Sequence, residues 1–231
     1  MSAPSQPSVV QWSCVHTVFL DMDGTLLDLH FDDYFWSEHI PLRYAQRKGI
    51  DLDTARNELV PQFRRMEGTL QWYCVDYWSE VLGLDVALLK REVEHLIGVH
   101  PHVVAFLEAL RRSGRRVVLV TNAHMKSLSL KMERTALAGH FDAVVCSHEF
   151  GHPKESQAFW SLLHAREAFD PQCTLLVDDS LPVLRAARDY GVRHLLAVSR
   201  PSSRRPARQV DEFPAIQRFG EIMPVDGDPS P

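Results

Sequence analysis

The chain has 231 residues, 45% of them hydrophobic and 24% charged, with a formal net charge of −5. This balance predicts a water-soluble globular protein with one good core and room for a smaller satellite domain. It argues against a membrane span, since no uncharged apolar run is long enough, and mild acidity argues against a nucleic-acid platform. Met1–Gln11 lacks the basic-then-apolar order of a secretory signal. With Pro4 and Pro7 among serine and glutamine, it is expected to fray.

The first predicted element is Thr17-Val18-Phe19-Leu20, β-branched and aromatic, hence a buried strand. It ends abruptly in Asp21 and Asp23, followed by Gly24 and Thr25, with Gly24 supplying a turn. Two carboxylates this close repel unless a cation or a shared proton lies between them. An Asp-Gly hairpin is the competing reading, because that dipeptide favours such turns. Leu26-Leu27-Asp28-Leu29 only half supplies the alternating return strand a hairpin needs.

From Asp28 to about Val99 the strand pattern vanishes. Leu52, Ala55, Leu59, Phe63 and Met66 keep helical steps, as do Val86, Leu89, Val93, Leu96 and Ile97 behind a capping Asp85. Pro41 and Pro61 are expected to break or kink these helices. Further on, apolar runs at Val117–Thr121, Asp142–Cys146, Cys173–Asp178 and His194–Val198 read as strands buried on both faces, as in a parallel sheet. Helical patterns separate them. One is opened by Pro101 and ended by Gly114, one carries Phe159, Leu162, Leu163 and Arg166, and one runs from a capping Ser180 to Gly191. Alternation of this kind predicts a doubly wound, Rossmann-like α/β domain interrupted by a helical module after its first strand. Arg200–Gln209 reads as an arginine- and proline-rich connector before a weak helix with Ile216, Phe219 and Ile222, and Asp226–Pro231 is expected to fray. Cys14, Cys74, Cys146 and Cys173 form no C-x-x-C pair. Cys146 and Cys173 lie in strand-like runs, which predicts buried free thiols and a reducing cytoplasm.

In a parallel sheet the strand ends share one edge, where open α/β sheets place ligands. That edge would gather Asp21, Asp23, Asp178, Asp179, Thr121 and Asn122, with Lys154 on a loop stiffened by Pro153. A lone threonine at a strand end is usually packing and a lone lysine on a loop is usually solvated. The ordered set is much harder to attribute to chance.

D-M-D-G-T at Asp21–Thr25, L-V-T-N at Leu119–Asn122, Lys154, and L-V-D-D-S at Leu176–Ser180 resemble the four motifs of the haloacid dehalogenase superfamily. F-D-D-Y-F-W at Phe31–Trp36 and W-Y-C-V-D-Y-W-S-E at Trp72–Glu80 are similar to its bacterial GMP/IMP nucleotidases. Two departures stand out: Glu155 follows Lys154 where many relatives have proline, and the fourth motif has adjacent aspartates. The resemblance implies an α/β core over 12–28 and 100–200, a helical cap over 29–99, and a C-terminal connector and short helix over 201–231. It further implies Mg²⁺ held by Asp21, Asp178 and the backbone carbonyl of Asp23. Asp21 would attack phosphorus to give an aspartyl-phosphate, and Asp23 would serve as acid and then base. Thr121 and Asn122 would bind phosphoryl oxygens, and Lys154 would balance negative charge. Asp179 is expected beside the metal rather than on it.

Phe35, Trp36, Trp72, Tyr73, Tyr77 and Trp78 crowd the module. Most are expected to form its own core, with one or two free to stack on a purine base. The twelve histidines show no metal spacing. His124 and His152 adjoin motif residues and could touch phosphate, and Arg200, Arg204, Arg205 and Arg208 could steer anionic substrates, but a solvated loop and a solvated connector are the favoured readings. The favoured function is a Mg²⁺-dependent phosphatase of purine nucleoside 5′-monophosphates, acting on a small molecule as monomer or homodimer, without nucleic-acid or membrane partners. The alternatives are a phosphatase or mutase for a sugar phosphate or flavin precursor, and an inactive phosphate-binding regulator.

Overall fold

The computed structural model describes residues 9–224. β1 (Thr17–Leu20) is buried along its length. Its alternating side chains feed two cores: Val18 and Leu20 pack on one face and Phe19 on the other. The chain then leaves the sheet for a helical insert. Its helices are α1 (His30–Tyr34), α2 (Ile40–Lys48), α3 (Leu52–Met66), α4 (Leu70–Tyr73), α5 (Val75–Leu82) and α6 (Val86–Glu92). A π-helical turn, Phe35–His39, joins α1 to α2. The insert buries its own cluster, including Phe31, Phe35, Leu59, Trp78, Val86 and Leu89. Asp51 and Asp85 cap α3 and α6 by accepting from the Thr54 and Leu88 amides.

After the insert come α7 (Val103–Arg112), β2 (Arg116–Thr121), α8 (Met125–Thr135), β3 (Ala143–Cys146), α9 (Gln157–Arg166), β4 (Thr174–Asp178), α10 (Leu181–Tyr190), β5 (His194–Val198) and β6 (Ala215–Ile216). The sheet is wholly parallel in the order β3-β2-β1-β4-β5-β6. α7 and α8 contribute Phe106, Leu110 and Leu128 to one face, while α9 and α10 contribute Phe159, Trp160 and Leu184 to the other. Strand order reverses at β1, with Leu20 opposite Leu119 on one side and Val177 on the other. The carboxyl ends of β1, β2 and β4 therefore meet at the switch point of the sheet.

Several expectations need correction. No hairpin follows β1, because both of its neighbours run parallel to it. Pro61 sits inside α3 without breaking it. It lies on the exposed face, and burial of Ala55, Leu59 and Phe63 holds the helix together around it. Pro101 precedes α7 rather than opening it, since His102, at φ +69°, stands between them. Ser180 occupies the N-cap position of α10 without a side-chain capping bond. Ala215–Ile216 is a strand, not a helix: it adds to the sheet beside β5, and only Phe219–Ile222 turns helically. All four cysteines are free, but Cys173 is half-buried in a turn before β4 rather than buried in it. Val10 is buried and joins the core, so the firm part of the chain starts earlier than expected. Most of the N-terminal segment and Asp226–Pro231 lie outside the described residues. Among those described, no helix is long and apolar enough to cross a membrane.

Candidate active site

Asp21 follows β1 directly, its amide bonded to the Val177 carbonyl at 3.0 Å. Asp178 ends β4, and Lys154 reaches in from the loop before α9. The Lys154 Nζ donates to Asp21 Oδ1 at 2.6 Å, Asp178 Oδ2 at 2.7 Å and the Val120 carbonyl at 3.0 Å. Its three donors are thus all used. Burial opposes the charge on Lys154, but Asp178 and Asp21 more than compensate, raising its pKa.

Lys154 does not balance the carboxylates around it. Asp21, Asp178 and Asp179 each bring an oxygen within 4.8 Å of the others. Asp21 Oδ2 is buried and has no hydrogen-bond partner among the described residues. Burial pushes Asp178 up to about 7, with Asp21 adding to the rise. Asp179 is raised well above the usual carboxylate range by burial and then by Asp21 and Asp178. Three crowded carboxylates, one with an unsatisfied buried oxygen, fit a hard divalent cation with oxygen ligands. Asp179 belongs to this cluster. Gly24 makes room for it: at φ +83°, a Cβ there would lie 2.8 Å from the Asp179 carboxyl.

Asp23 points elsewhere. Its Oδ1 accepts from Lys131 Nζ on α8 at 2.7 Å, and the same ammonium donates to Asp32 Oδ2 on α1 at 2.6 Å. Lys90 on α6 completes the chain, donating to Asp32 Oδ1 at 2.9 Å. Burial raises the Asp23 carboxyl to about 6, against the pull of Lys131. Burial would raise Asp32 too, but Lys131 and Lys90 hold it below the usual range. This second ionic cluster joins insert to sheet. None of Asp32, Lys90 or Lys131 was foreseen, because a lone lysine in an amphipathic helix reads as a solvated face.

Thr121, Asn122 and Lys154 line the same cavity, of about 580 Å³, together with Asp21, Asp23, Asp178 and Asp179. Thr121 Oγ1 accepts from the Ala123 amide, which leaves its proton free. Asn122 Oδ1 accepts from the Lys154 amide and Nδ2 donates to Glu155 Oε2. Glu155 Oε1 in turn accepts from the Tyr73 hydroxyl at 2.7 Å. The departure from proline at Glu155 thereby gains a role, tying α4 to the end of β2.

The opposite wall is aromatic. Trp36, Phe63, Trp72 and Tyr73 line the cavity, while Phe35 and Trp78 are buried in the insert's core. Trp36 and Trp72 stack with centroids 6.3 Å apart, and Phe63 meets both edge-on. The connector is not merely solvated. Arg205 lines the cavity and pairs with Asp33 at 2.8 Å, and Arg208 donates to the Asp179 carbonyl. His152 is exposed, whereas His124 lines the cavity.

Comparison with known proteins agrees with this architecture. The GMP/IMP nucleotidase YrfG of Escherichia coli is 38% identical over 215 residues, 93% of this chain and 97% of that protein. A phosphoglycolate phosphatase of Nitrosospira multiformis is 31% identical, covering 77% and 80%. Among solved structures, a HAD phosphatase from Thermococcus onnurineus superposes with a TM-score of 0.76 over 90% of this chain and 96% of that one, at 21% identity. The sequence model of the haloacid dehalogenase-like hydrolases matches residues 15–191. With that span running from β1 to the end of α10, the chain belongs to the haloacid dehalogenase-like hydrolases.

Proposed function

We propose that this hydrolase is a Mg²⁺-dependent phosphomonoesterase of purine nucleoside 5′-monophosphates, GMP and IMP foremost, working through an aspartyl-phosphate. The observation that carries the reading is the buried, unpartnered Asp21 Oδ2 in a cluster of three carboxylates and one ammonium. A phosphomonoester is an anion, and an anionic nucleophile meets it only where positive charge is supplied. Asp21, Asp178 and Asp179 would hold Mg²⁺, with the Asp23 backbone carbonyl as a further ligand. Bound there, the ion supplies charge neutralisation and orients the phosphoryl group.

The chain's own groups do the rest. Asp21 attacks phosphorus through one carboxylate oxygen. Asp23, with its pKa near 6, protonates the departing ester oxygen and later takes a proton from the attacking water. Lys131 and Asp32 hold its carboxyl in place. The Thr121 hydroxyl and the remaining Asn122 donor bind phosphoryl oxygens, and Lys154 offsets the charge of Asp21 and Asp178. The aromatic wall opposite supports a purine base as the remaining part of the substrate, and the 38% identical nucleotidase supports the same choice. Four free cysteines are in keeping with a reducing cytoplasm.

A panel of phosphomonoesters tests this reading. GMP and IMP should exceed UMP, a sugar phosphate, a flavin mononucleotide and phosphoglycolate in kcat/KM by roughly five- to hundredfold, the worth of one stacked base. A sugar phosphate, flavin or phosphoglycolate preferred over every purine nucleotide would overturn the substrate assignment and leave the catalytic one standing.

A further inference from the structure

Cys74, His124 and His148 lie far apart in sequence yet bring one ligand atom each within 4.8 Å of one another. Cys74 joins α4 to α5 in the insert, His124 lies between β2 and α8, and His148 sits in the turn after β3. We propose that these three side chains form a second metal site, for a zinc-class divalent ion, that staples the helical insert to the sheet domain. One sulfur and two imidazoles are a donor set suited to Zn²⁺ and unsuited to Mg²⁺, which prefers oxygen. The site is therefore chemically distinct from the acidic cluster.

A further observation points to a ligand. His148 Nε2 is buried and without a hydrogen-bond partner among the described residues. The His124 and His148 rings meet edge to face with centroids 5.0 Å apart. Asp76 Oδ2 stands 3.7 Å from His124 Nε2 but is not one of the grouped donors, so the fourth position falls to water. Tetrahedral bonds of about 2.0 Å to nitrogen and about 2.3 Å to sulfur bring donor atoms to roughly 3.5 Å apart. The trio thus contracts by at most about 1.3 Å on loading, within the reach of side-chain rotation.

The position has a consequence for the cavity. Cys74 adjoins Tyr73, and His124 lies two residues beyond Asn122, so the ion would fasten the insert beside the existing Tyr73–Glu155–Asn122 link. Co²⁺, a spectroscopic stand-in for Zn²⁺, tests the site directly on the full chain in excess Mg²⁺. The wild type should bind one equivalent with intense visible bands of tetrahedral geometry and a near-ultraviolet thiolate-to-cobalt band, and Zn²⁺ should displace it. Cys74→Ser should lose the near-ultraviolet band. His148→Gln should weaken Co²⁺ binding by at least about tenfold. Asp21→Asn should leave the spectrum unchanged. Absence of the thiolate band in the wild type would overturn the proposal. So would a band that survives Cys74→Ser, or binding that vanishes with Asp21→Asn and ignores His148→Gln.

Discussion

Two buried ionic clusters face the same cavity, and they differ in balance. Around Asp21, three carboxylates meet two cations, Lys154 bonded to Asp21 and Asp178 and Arg208 standing 3.7 Å from Asp179, and one carboxylate oxygen is unsatisfied. Around Asp23, two carboxylates meet two ammonium groups, with Lys131 and Lys90 both buried and each bonded to Asp32. The first cluster is arranged to receive positive charge. The second is closed on itself; it joins the insert to the sheet and holds the Asp23 carboxyl in place. A deficit of charge marks the place for chemistry, and a balance marks the place for positioning.

The comparison can be broken by substitution. Asp21→Asn should lower GMP turnover by at least about 10³-fold. It should leave the fold as stable as the wild type, because removing one of three crowded negative charges relieves repulsion. Phosphate release and thermal melting check both halves, and a variant that keeps a tenth of the activity would rule out Asp21 as nucleophile. In the balanced cluster the order reverses. Lys131→Ala leaves Asp23 facing Asp32 and should destabilise the protein by about 3–5 kcal/mol in urea denaturation. Its loss of turnover should be smaller than that of Asp21→Asn. A cost below about 1 kcal/mol would mean the cluster is hydrated like a surface pair.

Restoring Mg²⁺ after chelation probes the unbalanced cluster, because sulfur and imidazole donors do not suit Mg²⁺. Activity should vanish and return, while Ca²⁺, larger and less demanding in geometry, should bind and inhibit. Mg²⁺ at a hundredfold excess over its dissociation constant should stabilise the wild type by about 2.7 kcal/mol. Asp178→Ala should reduce that stabilisation more than Asp179→Ala, and the opposite order would exchange their roles. The smallest effect belongs to the link between the two walls. Tyr73→Phe removes one hydrogen bond to Glu155, worth about 0.5–1.5 kcal/mol. It should raise KM for GMP a few-fold with kcat little changed.

These tests also separate what the sequence reveals from what it hides. β1 and its aspartates are legible because apolar run, turn glycine and carboxylates are contiguous, and parallel pairing brings the strand ends to one edge. The boundaries of β1, β5 and α3 agree with their hydrophobic pattern to the residue. Contacts between insert and sheet follow no such local rule. Lys131 shares the buried face of α8 with Ser127 and Leu128, but its charge reads as a solvated position until Asp32 of α1 is beside it. Glu155 registers in the sequence as a departure, and its partners Tyr73 and Asn122 emerge only once α4 lies against β2. Cys74, His124 and His148 show no metal spacing because three separate segments supply them. β6 is missed because two apolar residues cannot announce a strand without β5 beside them.

The central claim, that the charge-deficient cluster makes Asp21 a nucleophile, is tested most directly by trapping its covalent product. Wild-type enzyme with GMP and Mg²⁺, quenched in acid within one turnover and reduced with borohydride, should yield homoserine at position 21 by peptide mass spectrometry. Asp21→Asn should yield none. Fast phosphate release from the wild type, with an unmodified Asp21 at every quench time, would contradict the account.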